Sequence, residues 1–214
     1  LLRQIAKQME AQGNDESKRV EGQEMITTTT RLMLNQFLAL PEKKPYLEFA
    51  AGDAVPKPMP DKNHSRMQGI LFLLLRQFLQ ETRLGEVLTE WRCIFGPPGG
   101  ERALIADLTY ASRAAMAESD RTGECYLRVA PDLAIEILSL DQSASRFADK
   151  LAFYLSNEVR LVWVIDPESK TVSTYSPGAQ PRTLRAGEML DGSDVLPGFS
   201  LAVTELFAEL ENEL

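Results

Sequence analysis

Asp107 in the run ALIADLTYA, Asp132 and Glu136 in PDLAIEILS, and Lys150 in ADKLAFYL are the residues of this 214-residue chain best placed to do chemistry. Both acidic runs read as strands, because apolar and β-branched residues surround the carboxylates and turn residues bound them. The lysine run reads as a helix. A carboxylate inside an otherwise buried strand is costly unless it is paired, protonated or bound to a metal. Two such strands and a nearby lysine therefore suggest a metal-dependent site suited to cutting phosphodiesters.

Side chains alternate along a strand, so Asp132, Ala134, Glu136 and Leu138 share one face. About 13 Å of ideal strand separates Asp132 from Glu136, too far for both to grip one ion. Glu136 then needs a partner from a neighbouring strand, and Asp107 is the natural candidate. A carboxylate from each of two adjacent strands makes an oxygen-rich site suited to Mg²⁺ or Mn²⁺. Such an ion polarises a phosphoryl oxygen and activates water. In the helix, Phe147, Leu151, Tyr154 and Leu155 form the inward stripe, and Lys150 lies on its edge. A lysine there can run its stem along apolar surface and carry its ammonium toward the sheet. It would orient the attacking water or neutralise the scissile phosphate. The competing reading makes Asp107 and Glu136 ion-paired structural carboxylates and leaves Lys150 solvated.

The elements that must position these residues follow from periodicity and punctuation. Residues 1–26 are polar and mixed in charge and read as a flexible arm, followed by one domain over 27–214. Thr27 to Thr30 would cap a short helix, RLMLNQFLAL, stopped by Pro41. YLEFAAGDAV reads as a strand and a Gly52-Asp53 turn. A long helix from His64 to Thr82, capped by Asp61 or Asn63, carries Met67, Leu71, Leu74, Leu75 and Phe78 in one stripe. Ile70, Phe72 and Leu73 widen it, which predicts burial on most sides. EVLTEWRCIF and ERALIADLTYA read as one strand each, joined by GPPGG as a hairpin loop. A polar stretch with Gly123 leads to PDLAIEILS. A helix over Ser143 to Ser156 and the strand VRLVWVID follow, and Pro167-Glu168-Ser169 turns into TVSTYS. The order predicts an α/β fold, a mixed sheet with helices on both sides. Trp91 and Trp163 are expected in the core. His64 near a helix start reads as structural, and Asp132 after Pro131 as a partner for backbone amides.

Composition excludes several classes. Cys93 and Cys125 form no CxxC pair, and His64 is the sole histidine, which removes zinc ribbons and HExxH sites. GxSxG, Walker A and GxGxxG are absent. No apolar run approaches the roughly 20 residues of a membrane span. With no secretory signal, a cytoplasmic setting and no membrane partner are expected. The net charge of −8 weighs against a polyanionic partner. Four glutamates in the tail TELFAELENEL contribute to that charge, however, and say little about a local groove. A homodimer is the default expectation by frequency alone.

Taken together, the chain resembles the Uma2 (DUF820) family, whose fold is that of PD-(D/E)xK restriction-endonuclease-like enzymes. The resemblance runs from about Thr27 to Phe207. It rests on FLALPEKKPYLEFAAGDAV, NHSRMQGILFLLLRQFL, the strands with Asp107 and Glu136, KLAFYLSNEVRLVWVIDPESKTVSTY, and LDGSDVLPGFSLAVTELF. It implies a restriction-endonuclease-like core and an Mg²⁺- or Mn²⁺-dependent endonuclease acting on nucleic acid, DNA first. It implies further that Asp107 and Glu136 ligate the metal, with Lys150 in the role of the motif's lysine. Two departures stand out. Ala106-Asp107 replaces Pro-Asp, and Leu138 occupies the position of the lysine two residues after Glu136. Glu48 matches a family position near the metal, although a turn or cap role is an equal reading. Asp132 would orient a neighbour. The rival functions are a nuclease fold that has lost catalysis and serves binding or assembly, and a hydrolase of another substrate class.

Overall fold

The computed structural model of the protein describes residues 31–139 and 142–211. The expected arm over 1–26 and the Thr27–Thr30 cap lie outside the described residues. Helix α1 (Leu34–Leu38) precedes a hairpin of β1 (Leu47–Ala50) and β2 (Asp53–Pro56). Its turn residues are Ala51 and Gly52, at φ 51° and 89°, one position before the expected turn. Two left-handed residues in succession match the twist of the strands they join.

Asp61 then caps α2 (Lys62–Thr82) by accepting the His64 amide at 2.8 Å. Next come β3 (Gly85–Thr89), β4 (Arg92–Phe95), β5 (Arg102–Ile105) and β6 (Leu108–Ser112). Helix α3 (Arg113–Thr122), strand β7 (Leu133–Ile137) and helix α4 (Ala144–Ser156) follow. The chain continues through β8 (Leu161–Asp166), β9 (Thr171–Tyr175), β10 (Arg182–Leu184), β11 (Met189–Gly192) and β12 (Leu196–Ala202) to α5 (Val203–Glu211).

Strand order is β10-β9-β8-β7-β6-β3 in the main sheet and β2-β1-β5-β4 in a second one, while β11 and β12 pair separately. The main sheet is mixed: β7 and β8 are parallel and their neighbours antiparallel. The two runs expected as single strands are each broken. Glu90, at φ 50°, interrupts the first, and Ala106-Asp107 interrupts the second. The breaks face each other, with the Glu90 amide donating to the Asp107 carbonyl at 3.2 Å. On one side of them β3 pairs with β6 in the main sheet, and on the other β4 pairs with β5 in the second. Asp107 is thus not within a strand but at the crossing between two sheets.

Alternation sorts the main sheet's side chains into two cores. Leu133, Ile135, Leu161 and Trp163 face α2 and α5, burying Met67, Leu71, Leu75, Leu206 and Phe207 with them. Ala134, Val162 and Val164 face α4, against Phe147, Leu151 and Tyr154. Helices therefore cover both faces, as expected, and Glu136 points to the α4 side. Trp163 is in the core, whereas Trp91 lies between strands and is half-buried. Two further expectations fail. Leu73 is 66% exposed, so α2 is not buried on most sides. The polar stretch after Ser112 is helix α3, which the sequence hides because its apolar contribution is little more than Ala115 and Met116.

Two glycines separate packing from propensity. A Cβ on Gly85 would lie 2.2 Å from the Ala111 carbonyl oxygen, while one on Gly69, exposed in α2, meets nothing within 4 Å. Gly85→Ala is expected to destabilise by roughly 1–3 kcal/mol through overpacking, and Gly69→Ala to stabilise by roughly 0.5–1 kcal/mol through helix propensity. Urea unfolding with unchanged slopes checks both signs.

Candidate active site

Asp107 is buried at the sheet crossing, and four groups fix it. Its Oδ2 accepts the Ile137 amide at 2.7 Å and meets His64 Nε2 at 3.1 Å. Its Oδ1 lies 2.8 Å from Lys57 Nζ, and its carbonyl accepts Gln68 Nε2 at 2.8 Å. His64 and Gln68 are one helical turn apart on α2, so a single face reaches both ends of the residue. The bond from Ile137 places Asp107 beside Glu136, its neighbour on β7. Burial disfavours the Asp107 anion, but Lys57 and His64 outweigh burial and hold the carboxyl well below the usual range. For His64 burial acts against the imidazolium, and Asp107 overcomes it and raises the pKa.

Glu136 forms the second cluster. Lys150 Nζ bridges Glu136 Oε1 and Glu48 Oε1, at 2.7 Å from each, and also donates to the Ile105 carbonyl at 3.3 Å. Tyr154, one turn along α4, donates its hydroxyl to Glu136 Oε1 at 2.8 Å. The Ile105 amide orients Glu48 through its Oε1, also at 2.8 Å. Burial pushes the Glu136 pKa up, the negative charges of Asp107 and Glu48 add to this, and Lys150 works against it. Lys150 shows the converse: burial opposes its charge, yet the two glutamates raise its pKa above the ordinary lysine value. It is an ammonium at neutral pH.

Glu48, Asp107, Glu136 and Lys150 all line one cleft of roughly 640 Å³, together with Lys57, His64, Arg102, Arg146 and Asp149. Four of the five residues singled out from sequence therefore share the cleft. Asp132 does not join them: it accepts the Ser112 amide at 2.8 Å and pairs with Arg160 at 3.2 Å. Sequence reasoning missed Lys57 and Tyr154 and set His64 aside as structural. The signal for His64 was its spacing from Gln68. Lys57 sits in the loop segment PKPMP, which offers no periodicity. Among the described residues, no three histidine, cysteine, aspartate or glutamate side chains gather closely enough to hold an ion. The carboxylates are instead held by Lys57, His64 and Lys150.

The Asp107 cluster has a pH signature. A carboxyl whose pKa is lowered on folding contributes stability that is complete above its unfolded value and is lost as pH falls through the folded one. In the presence of a chelator, wild type is expected to lose melting temperature more steeply than Asp107→Asn as pH falls from about 4 toward 2. Thermal melts across that range check it.

Residues 34–204 match the family Uma2, described as "Putative restriction endonuclease". Among solved structures, the protein is similar to "a putative nuclease belonging to DUF820" from Anabaena variabilis ATCC 29413. That crystal structure has a TM-score of 0.76 and 27% sequence identity, covering 84% of this chain and 99% of the other. No curated protein matches. The family match spans every element from α1 to β12, including those that carry Glu48, Asp107, Glu136 and Lys150, and the chain belongs to the Uma2 family.

Proposed function

We propose that this protein is a divalent-metal-dependent endonuclease that hydrolyses phosphodiester bonds of nucleic acid, with DNA as its substrate. The observation that carries this reading is the convergence of Asp107 from the β5–β6 break, Glu136 from β7 and Lys150 from α4 in one cleft. Membership of a family described as "Putative restriction endonuclease" supports the nuclease-like part.

The donor chemistry suits Mg²⁺ or Mn²⁺, which prefer carboxylate oxygens. Asp107 Oδ1 is buried and receives no directed hydrogen bond. The recorded contacts of Glu136 and Glu48 converge on Oε1 in each. Asp107 and Glu136 would hold the ion. When bound, the ion supplies Lewis-acid polarisation and activation of water. The chain's own groups do the rest. Lys150, protonated, would bring its positive charge to the side of the phosphate oxygens and is no proton acceptor. Tyr154 keeps Glu136 in place, and His64 with the Ile137 amide fixes Asp107.

A second reading, a catalytically silent binding or assembly module, draws on two observations. Lys57 and Lys150 already neutralise the carboxylates, and Leu138 is buried where the motif's lysine would stand.

Cleavage of plasmid, single-stranded DNA and RNA with Mg²⁺ or Mn²⁺ separates the two. Wild type is expected to cut DNA only with the ion, and Glu136→Ala and Lys150→Ala to lower the rate by about 10²–10³-fold while remaining folded. RNA cut in preference to DNA would change the substrate. No cutting of any substrate by folded wild type would select the binding module.

A further inference from the structure

Lys57 is a buried cation to which the proposed reaction gives no task. It is 8% exposed and lines the cleft. Its Nζ lies 2.8 Å from Asp107 Oδ1 and 3.6 Å from Glu90 Oε1. Neither Lys57 Nζ nor Asp107 Oδ1 has a directed hydrogen bond, so the contact is one of charge without alignment. The other Asp107 oxygen is already committed to the Ile137 amide and His64. Among the described residues, Oδ1 is the one oxygen of Asp107 available to an ion, and Lys57 occupies it.

We propose that Lys57 is a resident cation that competes with the divalent ion for Asp107 Oδ1, and that loading the site moves its ammonium to Glu90. This rests on the metal-dependent reading of the site. Mg²⁺ binds carboxylate oxygen at roughly 2.0–2.1 Å. With the ammonium still on the same oxygen, two cations would stand a few ångströms apart in a buried setting, where their repulsion is poorly screened. Lys57 must therefore leave, and Glu90 is the adjacent carboxylate. The move is confined to the side chain. The Lys57 amide donates to the Tyr46 carbonyl at 2.8 Å, and Pro56 and Pro58 fix φ on both sides. In the ion-free protein the same lysine spares Asp107 the penalty of an unpaired buried charge. Ion affinity is lowered in consequence.

Calorimetric titration of the full chain with Mn²⁺, without nucleic acid, reads this directly. Lys57→Met keeps the stem and removes the charge, and it is expected to tighten Kd about tenfold. Glu90→Gln removes the second seat and is expected to weaken Kd by about three- to tenfold. Lys57→Arg keeps the charge and is expected to stay within about threefold of wild type. Lys57→Met should also melt lower than wild type without the ion and gain more on adding it. Should Lys57→Met fold only with Mn²⁺ present, its affinity is read by back-titration with a chelator. Wild type that binds Mn²⁺ beside a Lys57→Met protein that binds it equally or more weakly would overturn the competition and leave the metal site standing. No Mn²⁺ binding by folded wild type or any variant at millimolar concentration would overturn both.

Discussion

An aspartate ionised inside a protein needs its charge answered on every side, and the arrangement around Asp107 follows from that need. Desolvation of a lone carboxylate costs far more than a single hydrogen bond returns. The Asp107 carboxylate therefore draws groups from three places: the loop after β2, helix α2 and strand β7. Each contact also ties one part of the fold to another. The Ile137 amide sets β7 against the sheet crossing, His64 and Gln68 dock the start of α2, and Lys57 brings the β1–β2 hairpin over the cleft. Charge satisfaction at one residue thus holds the two sheets and the long helix in a fixed relation.

The Glu136 cluster solves the same problem by a different route. Here the excess charge is negative, because Glu48 and Asp107 both raise the cost of ionising Glu136. One ammonium shared between Glu136 and Glu48 offsets part of it, and the Tyr154 hydroxyl supplies a neutral donor. Carboxylates and cations alternate across the floor of the cleft, so the net charge of −8 is a poor guide to what the cleft attracts.

Much of this was legible in the residues. Carboxylates stranded among apolar neighbours marked Asp107 and Glu136, and the stripe edge marked Lys150, because burial penalties and helical period are local properties. The mixed sheet with helices on both faces followed from element order. What sequence could not supply was non-local. Nothing in ERALIADLTYA announces that β5 and β6 belong to different sheets; the break becomes visible only when Glu90 and Asp107 meet across the ribbon. Helix α3 was hidden by its thin apolar face, and Lys57 by a proline-rich loop without period. His64 carried a readable cue in its spacing to Gln68, yet a histidine at a helix start has many ordinary uses.

The lysine that meets Glu136 comes from helix α4 and not from the strand that carries Glu136. Leu138, two residues beyond Glu136, falls on the same side of β7 by strand alternation and is buried in the core beneath α4. A lysine there would have to place its charge among Phe147, Leu151 and Tyr154 or bend back toward Glu136. Lys150 comes from the helix that covers this face, and its ammonium rests on Glu136 from above, over the Tyr154 ring at 5.8 Å. The strand position is thereby free to be apolar and to strengthen the packing that holds α4 down. That packing in turn fixes the base of the Lys150 side chain. Leu138 and Lys150 are therefore one solution: the strand residue contributes to the core, and the helix it anchors delivers the charge.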